Sequence, residues 1–402
     1  MATAASDDVG TSAVPSGPAH VAVVSFLASR AAPTGGFWIA LAGGVALARA
    51  AERRGARLGF GASAAAMLET VAIIGPARFG IPLTQAASAP MLGRLEARGV
   101  GLLPQILACA AIRLLHNTAT TAFFIWVIAG GLDAYAGTYD AIGRRLGIEV
   151  GTADALALTA AGLLAWAAFA STVQVLVYRR GLHGWDRAAA ESDAWNIDRQ
   201  IDGKRSTREA GTRGKRRFDP RAVVVAATLG FAALLSGTSW PLLGAVALLL
   251  AVAWGAARPE PEPVRAGLAF AAILGGGAAV FALGGGLGLD EAARRATRAA
   301  LLVMVATWMR AAAGAEGLRE VSRAVLGRLR RIPAAPEAAQ VLDEISSESE
   351  GRLMESGRSL AGRLGGVRKR PLPFVDAVLS WVVAESERHP GRDQQVVEDR
   401  GR

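Results

Sequence analysis

The chain of 402 residues has one cysteine, Cys109, so it can build neither a disulfide framework nor a cysteine-based metal site. Its four histidines, His20, His116, His183 and His389, are scattered without the spacing of a ligand set. Only two Gly-Lys pairs occur, Gly203-Lys204 and Gly214-Lys215. Each is followed by Arg rather than Ser or Thr, and neither has a glycine at the required distance before it. A phosphate-cradling loop is therefore missing, and any ATP hydrolysis linked to this chain belongs to a partner. No catalytic residue, metal or cofactor is expected. Residues 2–8 are small and polar and lack the basic start and apolar core of a cleaved signal, so 1–34 reads as a disordered N-terminal tail. The two halves of the chain share no internal repeat.

Apolar residues are abundant. They make up 52% of the chain, the mean hydropathy is +0.32, and 48 glycines accompany the Ala, Leu and Val. This is the composition of a multi-span membrane protein, in which small residues let helices approach closely where burial of apolar surface gives little drive. The net charge of +10 fits cytoplasmic loops and contact with anionic lipid better than nucleic acid. The expected class is all-α: a polytopic membrane bundle of about seven or eight spans with a cytosolic C-terminal helical arm.

In the C-terminal half, apolar runs fall at 222–238, 241–257, 265–283 and 293–314. The connectors at 237–241 and 284–293 carry no Lys or Arg, whereas Arg258–Arg265 and both flanks are basic, which places residue 221, the 258–265 loop and the tail in the cytoplasm. Asp219 and Pro220 suit the first turn of a helix, and Arg221 can anchor it at a membrane surface. Arg294, Arg295 and Arg298 open the last span, where they either snorkel to headgroups or line a polar seam against another subunit. Trp308 beside Arg310 suits an interfacial anchor.

The N-terminal membrane domain, 35–178, holds three or four spans: 36–51, 102–128 and 154–178, with 60–100 interfacial, re-entrant or a weaker fourth. Three ionisable groups fall at membrane depth, Glu69, Arg113 and His116. Such groups suggest function, and His116 could bind substrate or relay a proton. The plainer account breaks the 102–128 run in two, with 113–121 at an interface or satisfied by Glu69. Residues 179–217 read as a basic cytoplasmic linker; the slightly longer stretch 179–221 has 12 Lys or Arg against seven Asp or Glu. It serves as a lipid-contacting loop or a docking site.

The arm spans 315–390. Leu318, Val321, Val325 and Leu329 share one helical face, and a terminal helix carries Phe374, Val375, Val378, Leu379 and Val382 on another. These stripes either cover one another and the bilayer surface or fit a groove on a separate protein. Residues 391–402 read as a disordered tail.

The order of features over roughly 218–390 resembles the transmembrane (T) component of energy-coupling factor (ECF) transporters, ABC-type importers of prokaryotes. The resemblance rests on Phe218-Asp219-Pro220-Arg221 before the first span and on Gly288–Arg298 leading into the last. It rests further on Glu316–Leu326 followed by Ile332-Pro333, and on the placement of the helix Pro373–Arg388. It implies a multi-pass protein of the cell membrane that passes the motion of two cytosolic ABC-type ATPases to a small substrate-binding membrane subunit. Members carry two Ala-Arg-Gly signatures whose arginine docks in the ATPase. Here the nearest equivalents are Arg363, in Ala361-Gly362-Arg363, and Arg388, before His389-Pro390. With Phe374, Val378 and Val382 they form the expected docking set, and Asp219, Pro220 and Arg221 form the membrane-approach motif. The alternatives are a degenerate relative acting as a membrane scaffold, or a stand-alone channel or carrier built on the N-terminal spans.

Overall fold

A computed structural model describes residues 16–31, 36–78, 82–199, 218–258, 261–347, 350–364 and 371–388. Among them the chain is all-helical, with fourteen α-helices and no strand. In order these are α1 (Gly17–Ala31), α2 (Gly36–Arg54), α3 (Ala56–Ile74), α4 (Pro82–Ala97), α5 (Leu102–Phe123), α6 (Leu132–Arg145), α7 (Thr152–Arg199), α8 (Pro220–Ser236), α9 (Trp240–Ala257), α10 (Pro261–Gly284), α11 (Leu289–Arg328), α12 (Ala335–Ser347), α13 (Glu350–Leu364) and α14 (Pro371–Arg388). Six are long and apolar enough to cross a membrane: α3, α5 with its extension, α7, α9, α10 and α11. The shorter α8 is equally apolar. The architecture is that of a helical membrane protein.

Two regions differ in what they cover. The outer faces of α5, α7, α8, α9 and α10 leave large apolar side chains exposed, among them Leu115, Trp126, Leu164, Leu229, Leu249 and Ile273. Apolar surface on this scale needs an apolar surrounding. In contrast, α1 and α2 are enclosed by protein on nearly every side. Residues Ile39–Ala48 of α2 are all buried, against α1, α3, α4 and α14. Small residues make this possible. A Cβ added to Gly93 of α4 would fall 1.9 Å from the backbone oxygen of Ala48, so the two helices approach at backbone distance.

Several expectations are corrected by this arrangement. Residues 17–31, assigned to a disordered tail, form α1, a helix packed along most of its length with Val21, Val23 and Phe26 buried. The basic stretch after Tyr178 is not a linker at its start: α7 continues unbroken to Arg199, burying Leu182 and Trp185. Arg49 of α2 stacks over Trp185 at 5.5 Å and pairs with Asp186. Residues 200–217 lie outside the described residues, as do 1–15 and 391–402. The 102–128 run is not two pieces either. It is α5 passing directly into a π-helical segment, Phe124–Ala129, that ends at Gly130 and Gly131, both at positive φ. The region 60–100 comprises α3, which is apolar enough to span, and α4. Trp308, expected at an interface, is buried in the bundle.

The four C-terminal runs do become four helices, α8 to α11, close to the expected bounds. The last continues past residue 314 as a second helical segment, so the 40 residues of α11 comprise two helices meeting at Gly314, about 38 Å long before it and about 21 Å after it. Its one departure from helical geometry is Gly314, at φ 70° and ψ 168°, where the axis turns. Glycine adopts this conformation at little cost.

Candidate functional site

Gly314 lies in a joint between the spanning helices and the C-terminal ones. Asp219 caps α8, its carboxylate accepting from the Arg221 backbone N–H at 2.8 Å, and Pro220 occupies the first turn. Pro220 is buried against α11, where a Cβ on Gly317 would fall 2.9 Å from the proline ring. Arg221 is exposed. The Asp219-Pro220-Arg221 motif thus fixes the start of α8 to the first turn after the kink.

The same turn carries a buried ion pair. Arg319 donates from Nε to Glu69 of α3 at 2.8 Å and from Nη2 to the other carboxylate oxygen, with Glu69 fully buried. This forked geometry satisfies both charges at once. A second partner of Arg319, Glu316, is half exposed at 3.3 Å. Below the joint, Arg310 donates to the backbone oxygen of Ile73 at the end of α3. Beyond it, α3 packs along α12, where Gly61 abuts Glu337 and Arg57 pairs with Glu337. Glu69 therefore serves Arg319 rather than Arg113. The sequence offered Glu69 but not its partner, 250 residues away.

Arg113 is held elsewhere. Its Nη2 donates to Gln174 Oε1 of α7 at 2.7 Å, and Gln174 in turn donates to Ser88 of α4 at 2.7 Å. His116 is half-buried one turn further along α5. The structure does not bring Glu69, Arg113 and His116 into one site.

Near the opposite end of α11, Arg294 pairs with Asp290 and Glu291. Arg298 turns inward. It donates to the backbone oxygens of Leu234 and Leu235, at 2.6 and 3.0 Å, and of Val127 at 3.2 Å. It thereby satisfies carbonyls at the end of α8 and in the π-helical segment that have no helical partner. Neither snorkelling nor a seam against another subunit is needed to place it.

The C-terminal helices close around α1. Phe374, Val378 and Val382 are buried, with Trp381 between them, against α1, α2 and α7. Of the two alternatives for this stripe, coverage by the chain itself is what forms. His20 of α1 bonds Ser356 of α13 at 3.0 Å, Ser356 bonds Glu385 of α14, and Glu385 pairs with Arg388 at 2.9 Å. Arg363 reaches Ser380 at 3.5 Å. The face of α13 turned outward carries Arg352, Met354, Glu355 and Arg358.

A further polar knot joins α4, α5 and α7. Glu96 accepts from Gln105 at 2.5 Å and lies 2.8 Å from His183 and 3.3 Å from Arg179. Burial pushes its carboxyl up, but the bonds from Gln105 and His183 and the Arg179 charge outweigh that and hold it below its ordinary value.

No family model, curated protein or solved structure matches the chain. Among the described residues no three His, Cys, Asp or Glu side chains are grouped to hold a metal ion.

Proposed function

We propose that this protein is a membrane-embedded coupling subunit of an ECF-type ABC importer. It sits in the cell membrane with its C-terminal helices in the cytoplasm and passes the motion of partner ATPases to a substrate-binding membrane subunit. The observation that carries the reading is α11. Its first helix runs through the apolar bundle to Gly314, and the second helical segment is gripped immediately beyond that turn by Pro220 and Glu69. A displacement applied to α12 reaches α3 by direct packing and α8 through the distal segment of α11. The Asp219 cap and the four successive helices α8–α11 agree with the resemblance over 218–390.

The buried stripe changes where a partner would dock. Phe374, Val378 and Val382 are spent on the chain's own core, so ATPase contact falls to the outward face of α13 around Arg352, Met354 and Arg358 and to the exposed end of α14 at Arg388. The same burial favours a second reading, a membrane scaffold that couples nothing.

Co-purification from native membranes with a tag on the full chain separates the two. Coupling predicts recovery of nucleotide-binding ATPases and a small membrane subunit, with the ATPases lost on Arg358→Glu. Recovery of the chain with no ATPase refutes coupling and leaves the scaffold.

A further inference from the structure

Helix α6 connects two spanning helices but is too short to span. The π-helical extension of α5 ends at Ala129, α7 begins at Thr152, and α10 ends beside them at Gly284. The 14 residues of α6 make about 21 Å of helix, against a hydrocarbon core of about 30 Å. It therefore lies across the span ends, at the side of the bundle away from α12–α14.

Its residues divide into two faces. Leu132, Tyr135, Tyr139, Ile142 and Leu146 recur every three or four positions on one side, with Asp133, Asp140 and Arg144 on the other. The middle of the apolar face rests on the span ends. Tyr135 is buried, stacks on Phe281 of α10 with ring centres 5.9 Å apart, and bonds the Thr159 hydroxyl of α7 at 2.6 Å. Thr138 donates to the Phe281 backbone oxygen at 3.1 Å. Both ends of the apolar face overhang this support. Leu132 is exposed, Ile142 and Leu146 are 54% and 72% exposed, and Ile148 in the following turn is exposed as well. Because these positions share a face with Tyr135, the overhanging side chains are directed as it is, toward the spans. That is the side where the exposed apolar faces of α5, α7 and α10 already require an apolar surrounding. Arg145, exposed at the edge of the same face, has no ion-pair partner among the described residues.

We propose that α6 is an in-plane membrane anchor: Ile142, Leu146 and Ile148 sink among lipid acyl chains beside the span ends, and Arg145 reaches the lipid phosphates. Amphipathic helices in this position bury their apolar face about 5–10 Å into the boundary between headgroups and acyl chains. The arginine stem lies along apolar surface while its charged head stays at the wet level. Anchored in this way, α6 holds the ends of α5, α7 and α10 at one depth in the bilayer. The anchor is independent of the coupling role, and a failed co-purification leaves it standing.

The test uses the full chain in lipid nanodiscs carrying Ile142→Cys, Leu146→Cys or Arg144→Cys, each labelled with an environment-sensitive fluorophore. Cys109 is buried, and the unsubstituted chain measures any label it takes up. All three substituted side chains are exposed, and Arg144→Cys gives up only a surface pair with Asp140. Two quenchers are compared, phosphatidylcholine brominated high on its acyl chains and dissolved iodide. The labels at 142 and 146 lose emission to the brominated lipid and keep it in iodide, while the label at 144 does the reverse. Adding Arg145→Glu sets an anion against the phosphates and opens the 146 label to iodide. Labels at 142 and 146 as open to iodide as the one at 144 overturn the proposal. Labels shielded from both quenchers overturn it as well, because a partner protein or a second copy then covers the face. An unchanged 146 label in the Arg145→Glu background overturns the phosphate contact.

Discussion

Glu69→Gln isolates the joint between α3 and α11. The substitution keeps the shape and one accepting oxygen but removes the charge that Arg319 faces. Removing one member of a buried pair costs about 3–5 kcal/mol, because the other is left uncompensated. Glu316 remains 3.3 Å away, but it is half exposed and so recovers at most about 1 kcal/mol. The net expectation is a loss of about 2–4 kcal/mol, roughly a hundredfold in the folding equilibrium. Glu69→Met combined with Arg319→Met removes both charges together and should cost less than Glu69→Gln alone, since a buried pair is often replaceable by apolar side chains of similar volume. The assay is reversible unfolding in mixed detergent micelles, followed by tryptophan fluorescence, for the wild type, Glu69→Gln, the singles Glu69→Met and Arg319→Met, and the double Met variant. A loss below about 0.5 kcal/mol for Glu69→Gln, or a double variant equal to the sum of the singles, would refute the reasoning, because independent sites add and interacting ones do not.

Two further predictions concern other parts of the molecule. Arg298→Met strips three backbone oxygens of their donor and should destabilise by about 2–4 kcal/mol, with hydrogen-exchange protection lost at the end of α8 before it is lost in α1–α3. Arg298→Lys should rescue little, since a point cation does not reproduce the planar fork. For Glu96, the folded carboxyl titrates below its ordinary value, so its contribution is complete above the ordinary carboxylate range and is lost as the pH falls through the depressed value. Glu96→Gln should therefore flatten that acid limb of the stability–pH curve, and an unchanged limb would count against the assignment.

Much of the helical content was legible because it is local. The runs at 222–238, 241–257 and 265–283 fall within four residues of α8, α9 and α10, since length and apolarity decide a span. The amphipathic stripe of α14 was also visible as a period, although what covers it was not. The misses share one cause, pairing across long stretches of chain. Gln174 meets Arg113 across 61 residues and Arg319 meets Glu69 across 250, and no periodicity reports either. Two helices were hidden by composition. In α1 the small residues give little contrast between faces, and in the distal part of α7 Arg, His and Gly mask a buried edge formed by Leu182 and Trp185. Gly314 was one glycine among 48, and only its backbone conformation singles it out.

The His20–Ser356 bond, spanning 336 positions, has a consequence for folding. α1 packs first against α2 and α3, its near neighbours in the chain, while α13 and α14 cover its remaining side from far along the sequence. That side of α1 is therefore closed only when a much later segment docks, and contacts so distant in sequence slow folding.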